Sequence, residues 1–201
     1  MFIDELLEAN AEWAQKRNEA DPGFFPRLKA EAQSPKALWI GCADSRVSPE
    51  QITLAEPGTL FVHRNIANVV HAGDLNLMSV MHYALHALKV EHIVVCGHEV
   101  CGGVQAALKG LRGDLLDQWL APVAEVARDK MEELENLEDD AARIAHLVEL
   151  NVLAQVNHLA NSPAVRLAWA NAQPLKIHGM VYKLSTGRLE RLASLVQGLK
   201  S

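Results

Sequence analysis

The sequence predicts an α/β fold: a mainly parallel β-sheet flanked by helices, with an N-terminal helical arm and a C-terminal edge hairpin. Three observations carry this. Short apolar runs alternate with stretches of helical period, which is the pattern of parallel strands joined by helical crossovers. The chain opens on an amphipathic segment that stops at Asp21-Pro22-Gly23. It closes on two extended runs about a Thr-Gly turn.

In order, residues 2 to 17 place Phe2, Ile3, Leu6, Leu7 and Trp13 at roughly helical spacing, an arm whose apolar face needs a partner surface. "ALWIGC" and "TLFVHRNIA" are short enough and apolar enough for buried strands. "LNLMSVMHYALHALKV" turns to helical period, with Leu77, Val80, Met81, Ala84, Leu85 and Leu88 on one face. "EHIVVCGH" returns to strand, and "CGGVQAALKG" opens a helix after its glycines. Residues 114 to 136 and 139 to 160 are expected to be helical. Ser162-Pro163 is a helix start, a capping hydroxyl followed by proline in the first turn. "LKIHGMVYKLSTGRLERL" then forms the hairpin.

The 201 residues suit one domain, 1–201, with residues 1–20 as its arm helix. Apolar residues make up 49% and charged residues 22%, ordinary for a globular chain. A formal charge of −6 argues against nucleic acid or an anionic membrane as partner. The N-terminus carries acids where a signal peptide carries a basic start, and no apolar run approaches the roughly 20 residues that span a bilayer. A cytoplasmic protein is expected. Three cysteines do not make a disulfide framework, so metal binding or a reactive thiol is the better reading.

The chemistry collects where two strands end, in "GCADSR" and "GHEVCGG". In parallel α/β sheets, functional groups gather beyond the carboxyl ends of strands. If these strands are neighbours, Cys42, His98 and Cys101 converge, and two thiolates with an imidazole suit zinc better than magnesium or calcium. Asp44 could then close the metal site, or pair with Arg46 and leave a position for water. The spacing alone does not decide between a metal site and a buried core cysteine. Cys96 competes as a ligand but reads as core packing within "IVVCG". His82 and His86 share a helix face without a third ligand. Gly97, Gly102 and Gly103 allow close backbone approach, in a spacing that is not a dinucleotide fingerprint.

"CADSR" followed by "GHEVCGGV" resembles the paired zinc signatures of the β-class carbonic anhydrases. The likeness runs through "DPGFF", "LWIGC", "LFVHRNIAN", "VELNVLAQV" and "IHGMVY". The resemblance implies one Zn2+ per chain on Cys42, His98 and Cys101, with Asp44 and Arg46 as the catalytic dyad. It implies reversible hydration of carbon dioxide to bicarbonate and a proton through a zinc-bound hydroxide. It also implies an arm that wraps a neighbouring subunit, a homodimer as the minimal unit, and the homotetramer common in the bacterial branch.

Trp39, Arg64 and Tyr182 coincide with the non-catalytic bicarbonate pocket of the family's allosteric subclass. There, bicarbonate stabilises a closed state with the aspartate, here Asp44, on zinc. A guanidinium with indole and phenol donors is a chemically sensible anion site. Two residues depart from the family pattern. Val100 stands before the second cysteine where a glycine or small polar residue is usual, and Glu99 follows the zinc histidine; Glu99 is expected to face solvent.

Overall fold

The computed structural model describes residues 1–110 and 113–196 and the backbone of Leu199–Lys200. By its internal contacts the chain divides into two compact units, Met1–Ser34 and Pro35–Ser201.

The first unit is a helical hairpin, α1 (Phe2–Ala20) and α2 (Phe24–Ala30). The helix expected over residues 2–17 runs on to Ala20, because nothing in the sequence breaks it before Asp21-Pro22. At the turn the Asp21 carboxylate accepts from Gly23 N–H at 3.0 Å and pairs with Arg27. Trp13 meets Phe25 edge-on at 5.7 Å, and Arg17 lies 5.1 Å over the Phe24 ring. Neither helix buries a residue, and Phe2, Ile3, Leu6 and Leu7 are all exposed.

The second unit is built on a sheet of six strands among the described residues: β1 (Ala37–Cys42), β2 (Leu60–Asn65), β3 (His92–His98), β4 (Lys176–Lys183), β5 (Arg188–Val196) and β6 (Leu199–Lys200). Their order is β2-β1-β3-β4-β5-β6. The first four are parallel and the last two antiparallel. Every residue of β1 is buried, as a central parallel strand requires. The β4–β5 hairpin turns where expected, with Gly187 at φ 70, and β6 lies outside it, so the hairpin is one strand in from the edge.

Between the strands run α3 (Pro49–Thr53), α4 (Leu75–His82), α5 (Gly102–Lys109), α6 (Leu115–Asp129), α7 (Met131–Glu135), α8 (Asp140–Asn161) and α9 (Pro163–Ala170). The helix expected after β2 begins at an Asp74 cap and continues past His82 as a π turn, Tyr83–Ala87, closed by Leu88 N–H on the Tyr83 carbonyl. Leu77, Met81, Ala84 and Leu85 of the expected face are buried, while Val80 and Leu88 pack at its margin. Residues 114–136 are two helices rather than one. The chain leaves helical geometry at Lys130, a break no glycine or proline announces.

Strand alternation sends successive side chains to opposite faces of the sheet. Leu38, Ile40, Ile93 and Val95 point into the main core, which α4 to α9 cover. Trp39, Val94 and Cys96 form a smaller cluster on the other face with Ile52, Met180, Tyr182 and Leu189.

Candidate metal centre

β1 and β3 are parallel neighbours, with Gly41 opposite Cys96, so both chains leave the sheet at the same end. Cys42 closes β1, His98 closes β3, and Cys101 is the residue that caps α5 three positions on. The ligand atoms of these residues all lie within 4.8 Å of one another, the one such group of His, Cys, Asp and Glu among the described residues. All are buried, with His98 and Cys101 each 1% exposed.

Three features test whether a metal fits. The sulfurs of Cys42 and Cys101 are 4.0 Å apart. Two sulfurs each about 2.3 Å from a tetrahedral zinc would stand about 3.8 Å apart. His98 Nδ1 is 2.8 Å from the Glu99 carbonyl, a bond that puts the proton on Nδ1 and leaves Nε2 bare. That Nε2 is buried and has no hydrogen-bond partner, an arrangement costly in a protein unless the lone pair is meant for an electrophile. The donor set fits zinc.

The electrostatics agree. Cys101 and Cys42 share a proton between their sulfurs, and the Cys42 thiol is pulled well down while Cys101 is pushed up. Burial opposes the change at Cys42, which also has His98 and the backbone at Asp44 and Ala67 in its favour. Cys101 Sγ accepts from the backbone of Val104 and Gly103 at the start of α5. Burial opposes a charged His98, but the Cys42 sulfur, the Glu99 carbonyl and Asp44 outweigh it and its pKa rises.

Asp44 stands at the rim with Oδ2 3.8 Å from His98 Nε2. Arg46 grips it with Nε to Oδ1 at 2.9 Å and Nη2 to Oδ2 at 2.6 Å, and Arg46 N–H adds a third bond at 3.0 Å. This bidentate hold, with the backbone bond behind it, keeps the carboxyl far below the usual carboxylate range.

Comparison with known proteins follows the same line. The carbonic anhydrase family model matches residues 37–189. The carbonic anhydrase of Emericella nidulans is 45% identical over 190 residues, which is 94% of this chain and 82% of that one. The chain belongs to the β-carbonic anhydrase family. A carbonic anhydrase of Pseudomonas aeruginosa is 40% identical over 81% of this chain and 76% of its own. A structure of the tetrameric β-carbonic anhydrases of the ascomycete Sordaria macrospora superimposes with a TM-score of 0.91 at 40% identity, over 100% of this chain and 98% of that one. β-Carbonic anhydrases are zinc enzymes, and the Cys42–His98–Cys101 group is where this member can take one.

Trp39, Arg64 and Tyr182 sit on the sheet face opposite α4 to α9, at strand positions in phase with the Cys96 cluster. Trp39 and Tyr182 pack in that cluster. Arg64 donates Nε to the Cys42 carbonyl at 2.8 Å and Nη2 to the Asp44 carbonyl. Cys96, on this same face, is outside the ligand group, and burial pushes its thiol up to about 12. Glu99 faces away from the metal group: its Oε2 accepts Ser185 N–H at 2.9 Å in the β4–β5 turn. Val100 adopts φ 57, the left-handed region that glycine prefers. Of the glycines, Gly97 and Gly103 are needed for close approach, since a Cβ on either would meet neighbours at 2.8 and 2.9 Å, whereas Gly102 has open space. The His82 and His86 rings lie 4.4 Å apart, tilted at 45°, and belong to no metal-ligand group among the described residues.

The site residues that sequence reasoning missed are backbone. Ala67, in the turn after β2, gives its N–H to the Cys42 sulfur. Nothing in "NIANVV" announces that role.

Proposed function

We propose that the protein catalyses the reversible hydration of carbon dioxide to bicarbonate and a proton, using one zinc ion held by Cys42, His98 and Cys101. The observation that carries this is the buried, partnerless His98 Nε2 facing two thiols at a separation suited to a tetrahedral ion. When bound, zinc supplies a Lewis acid that lets water ionise near neutral pH.

The rest falls to the chain's own side chains. Arg46 occupies both oxygens of Asp44 and so holds the carboxylate at the rim, off the metal. Because it stays ionised, Asp44 is an acceptor only. It takes a hydrogen bond from the O–H of the attacking oxygen, which turns the lone pair toward the carbon of carbon dioxide. The proton released in the reaction leaves through solvent or buffer.

The same reading includes inhibition by bicarbonate at Trp39, Arg64 and Tyr182, through a closed state with Asp44 on the metal. Support comes from what Arg64 binds. Its guanidinium holds the carbonyls of Cys42 and Asp44, and an anion competing for it would loosen the turn that carries Asp44. The trio is also the support for the bacterial branch; the relatives from Emericella and Pseudomonas, at 45% and 40% identity, add none. In this reading the enzyme works in the cytoplasm as a homotetramer built from dimers. The tetrameric Sordaria structure and the exposed apolar residues of α1 support the assembly.

Metal analysis combined with stopped-flow hydration of carbon dioxide, across neutral and mildly alkaline pH, tests the reading. One zinc per chain with a rate that rises with pH is expected. Zinc without hydration at any pH would overturn the activity, and no zinc would overturn the site.

A further inference from the structure

The turn that follows β2 is strained in a way that the reaction chemistry does not explain. Ala67 has φ 62 and the next residue, Asn68, φ 48, although neither is a glycine. Such a residue is unfavourable without a glycine and persists only where its surroundings over-determine it. Both are buried, Ala67 fully.

The surroundings are specific. Trp119 of α6 donates its indole N–H to the Ile66 carbonyl at 2.9 Å. That carbonyl belongs to the same peptide plane as the Ala67 N–H, whose acceptor is the Cys42 sulfur. Asn151 of α8 donates Nδ2 to the Ala67 carbonyl at 3.0 Å, which fixes the next peptide plane. With both planes held, the two backbone dihedrals of Ala67 between them are held as well.

Behind Asn151 the chain of bonds continues. Gln155 Nε2 donates to Asn151 Oδ1 at 2.8 Å, and Gln155 Oε1 accepts Val70 N–H at 2.8 Å. Both amides are buried, with Asn151 1% and Gln155 0% exposed. Such groups are costly inside a protein unless each is spoken for. The turn is also pressed from the α5 side: a Cβ on Gly103 would come within 3.0 Å of Ala67 Cβ.

We infer that Trp119 and Asn151 are positioning residues of the metal site, which lock the Ile66–Ala67–Asn68 turn so that its N–H is aimed at the sulfur of Cys42. The inference rests on Cys42 being a metal ligand. A hydrogen bond from a backbone N–H withdraws charge from a thiolate and polarises further when its own carbonyl is bonded, as Ile66 is to Trp119. A partner one step behind the ligand, as the Ala67 N–H is, is worth about 10–100-fold in metal affinity or activity. Trp119 and Asn151 act through that partner from one step further back. The Asn and Gln of "VELNVLAQV", which lie on α8 outside the metal group, thereby gain a role.

The test uses the full chain loaded with cobalt(II), whose thiolate-to-metal charge-transfer band reports the electron density on sulfur. Trp119→Phe keeps an aromatic side chain and removes the donor with the ring that carries it. Asn151→Asp keeps the shape and the bond from Gln155 but cannot donate to Ala67. Val156→Ala, a core truncation elsewhere on α8, serves as the control for lost stability alone.

Trp119→Phe is expected to move the band to longer wavelength and to release zinc to a chelator about 10-fold faster or more. Asn151→Asp should shift the band in the same direction, and Val156→Ala should lower the melting temperature with the band in place. Trp119→Phe decides the matter if Asn151→Asp does not fold. A wild-type band and release rate in Trp119→Phe would overturn the inference. Absence of any thiolate band in the wild-type chain would instead overturn Cys42 as a ligand.

Discussion

Asp44 is bound to Arg46 by two side-chain hydrogen bonds, at 2.9 and 2.6 Å, while its Oδ2 lies 3.8 Å from the bare Nε2 of His98. One carboxylate is thus within a small rotation of two partners. The guanidinium has the advantage here because its bonds to Asp44 are bidentate and the Arg46 N–H adds a third. The same grip holds the Asp44 carboxyl far below the usual carboxylate range, so Asp44 stays ionised at mildly acid pH.

Replacing Asp44 therefore separates orientation from metal binding. Asp44→Asn is expected to retain one metal per chain and to lower kcat/KM by about 100-fold or more, the lower end of what a positioned acceptor contributes. Arg46→Ala should also lose rate, because the freed carboxylate can turn onto the metal. Metal analysis and stopped-flow kinetics on both variants make the check, and a near-wild-type rate in Asp44→Asn would remove Asp44 from the chemistry.

Much of this centre is legible in the sequence because its residues sit at strand ends. "ALWIGC" and "EHIVVCGH" are strands by composition alone, and parallel neighbours must deliver their last residues to one edge. The charge pair is legible because Asp44 and Arg46 are two residues apart in one turn. What was hidden depends on backbone dihedrals and on long-range amide bonds. The left-handed Ala67 has no marker when the residue is not glycine, and the Asn151 bond to its carbonyl spans 84 residues. The break at Lys130 is of the same kind, a change in backbone dihedrals that no glycine or proline marks.

The proposed inhibition by bicarbonate should depend on the indole and phenol donors. Tyr182→Phe removes its O–H with almost no loss of bulk, whereas Trp39→Phe also leaves a small cavity. Trp39→Phe and Tyr182→Phe each delete one N–H or O–H from the sheet face that also holds Cys96. Hydrogen bonds to a charged group are worth about 1.5–3 kcal/mol, so each change should weaken inhibition about 10-fold or more. Initial rates measured against added bicarbonate at constant ionic strength give the answer. Unchanged inhibition in both variants would exclude this pocket. Arg64 is a poorer probe, because it also holds the backbone of Cys42 and Asp44.

Cys96 is expected to behave as a buried thiol and not as a ligand. Burial raises its pKa to about 12, against about 8.5 for a free thiol in the unfolded chain. Between these values the unfolded state has released a proton that the native state keeps, so this group's contribution to stability is full below about pH 8.5 and falls as pH rises. Alkylation followed by mass spectrometry at mildly alkaline pH should leave Cys96 unmodified in the zinc-loaded protein and label it once denaturant is added. Labelling under native conditions would show that the sheet face around Trp39 and Val94 opens to solvent.

Val100 offers a gain in stability at the edge of the site. Its φ of 57 is unfavourable for a β-branched residue, and at 58% exposure the side chain buries little that would be missed. Left-handed geometry costs a non-glycine residue about 1–2 kcal/mol. Glycine avoids that cost but loses about 0.5–1 kcal/mol through the greater freedom of its unfolded chain. Val100→Gly should therefore be more stable by about 0.5–1 kcal/mol, a rise of roughly 1–4 °C in melting temperature for a chain of this size. Thermal unfolding of the zinc-loaded protein measures it, and a fall in melting temperature would mean that the Val100 side chain supports the turn between His98 and Cys101 by more than its strain costs.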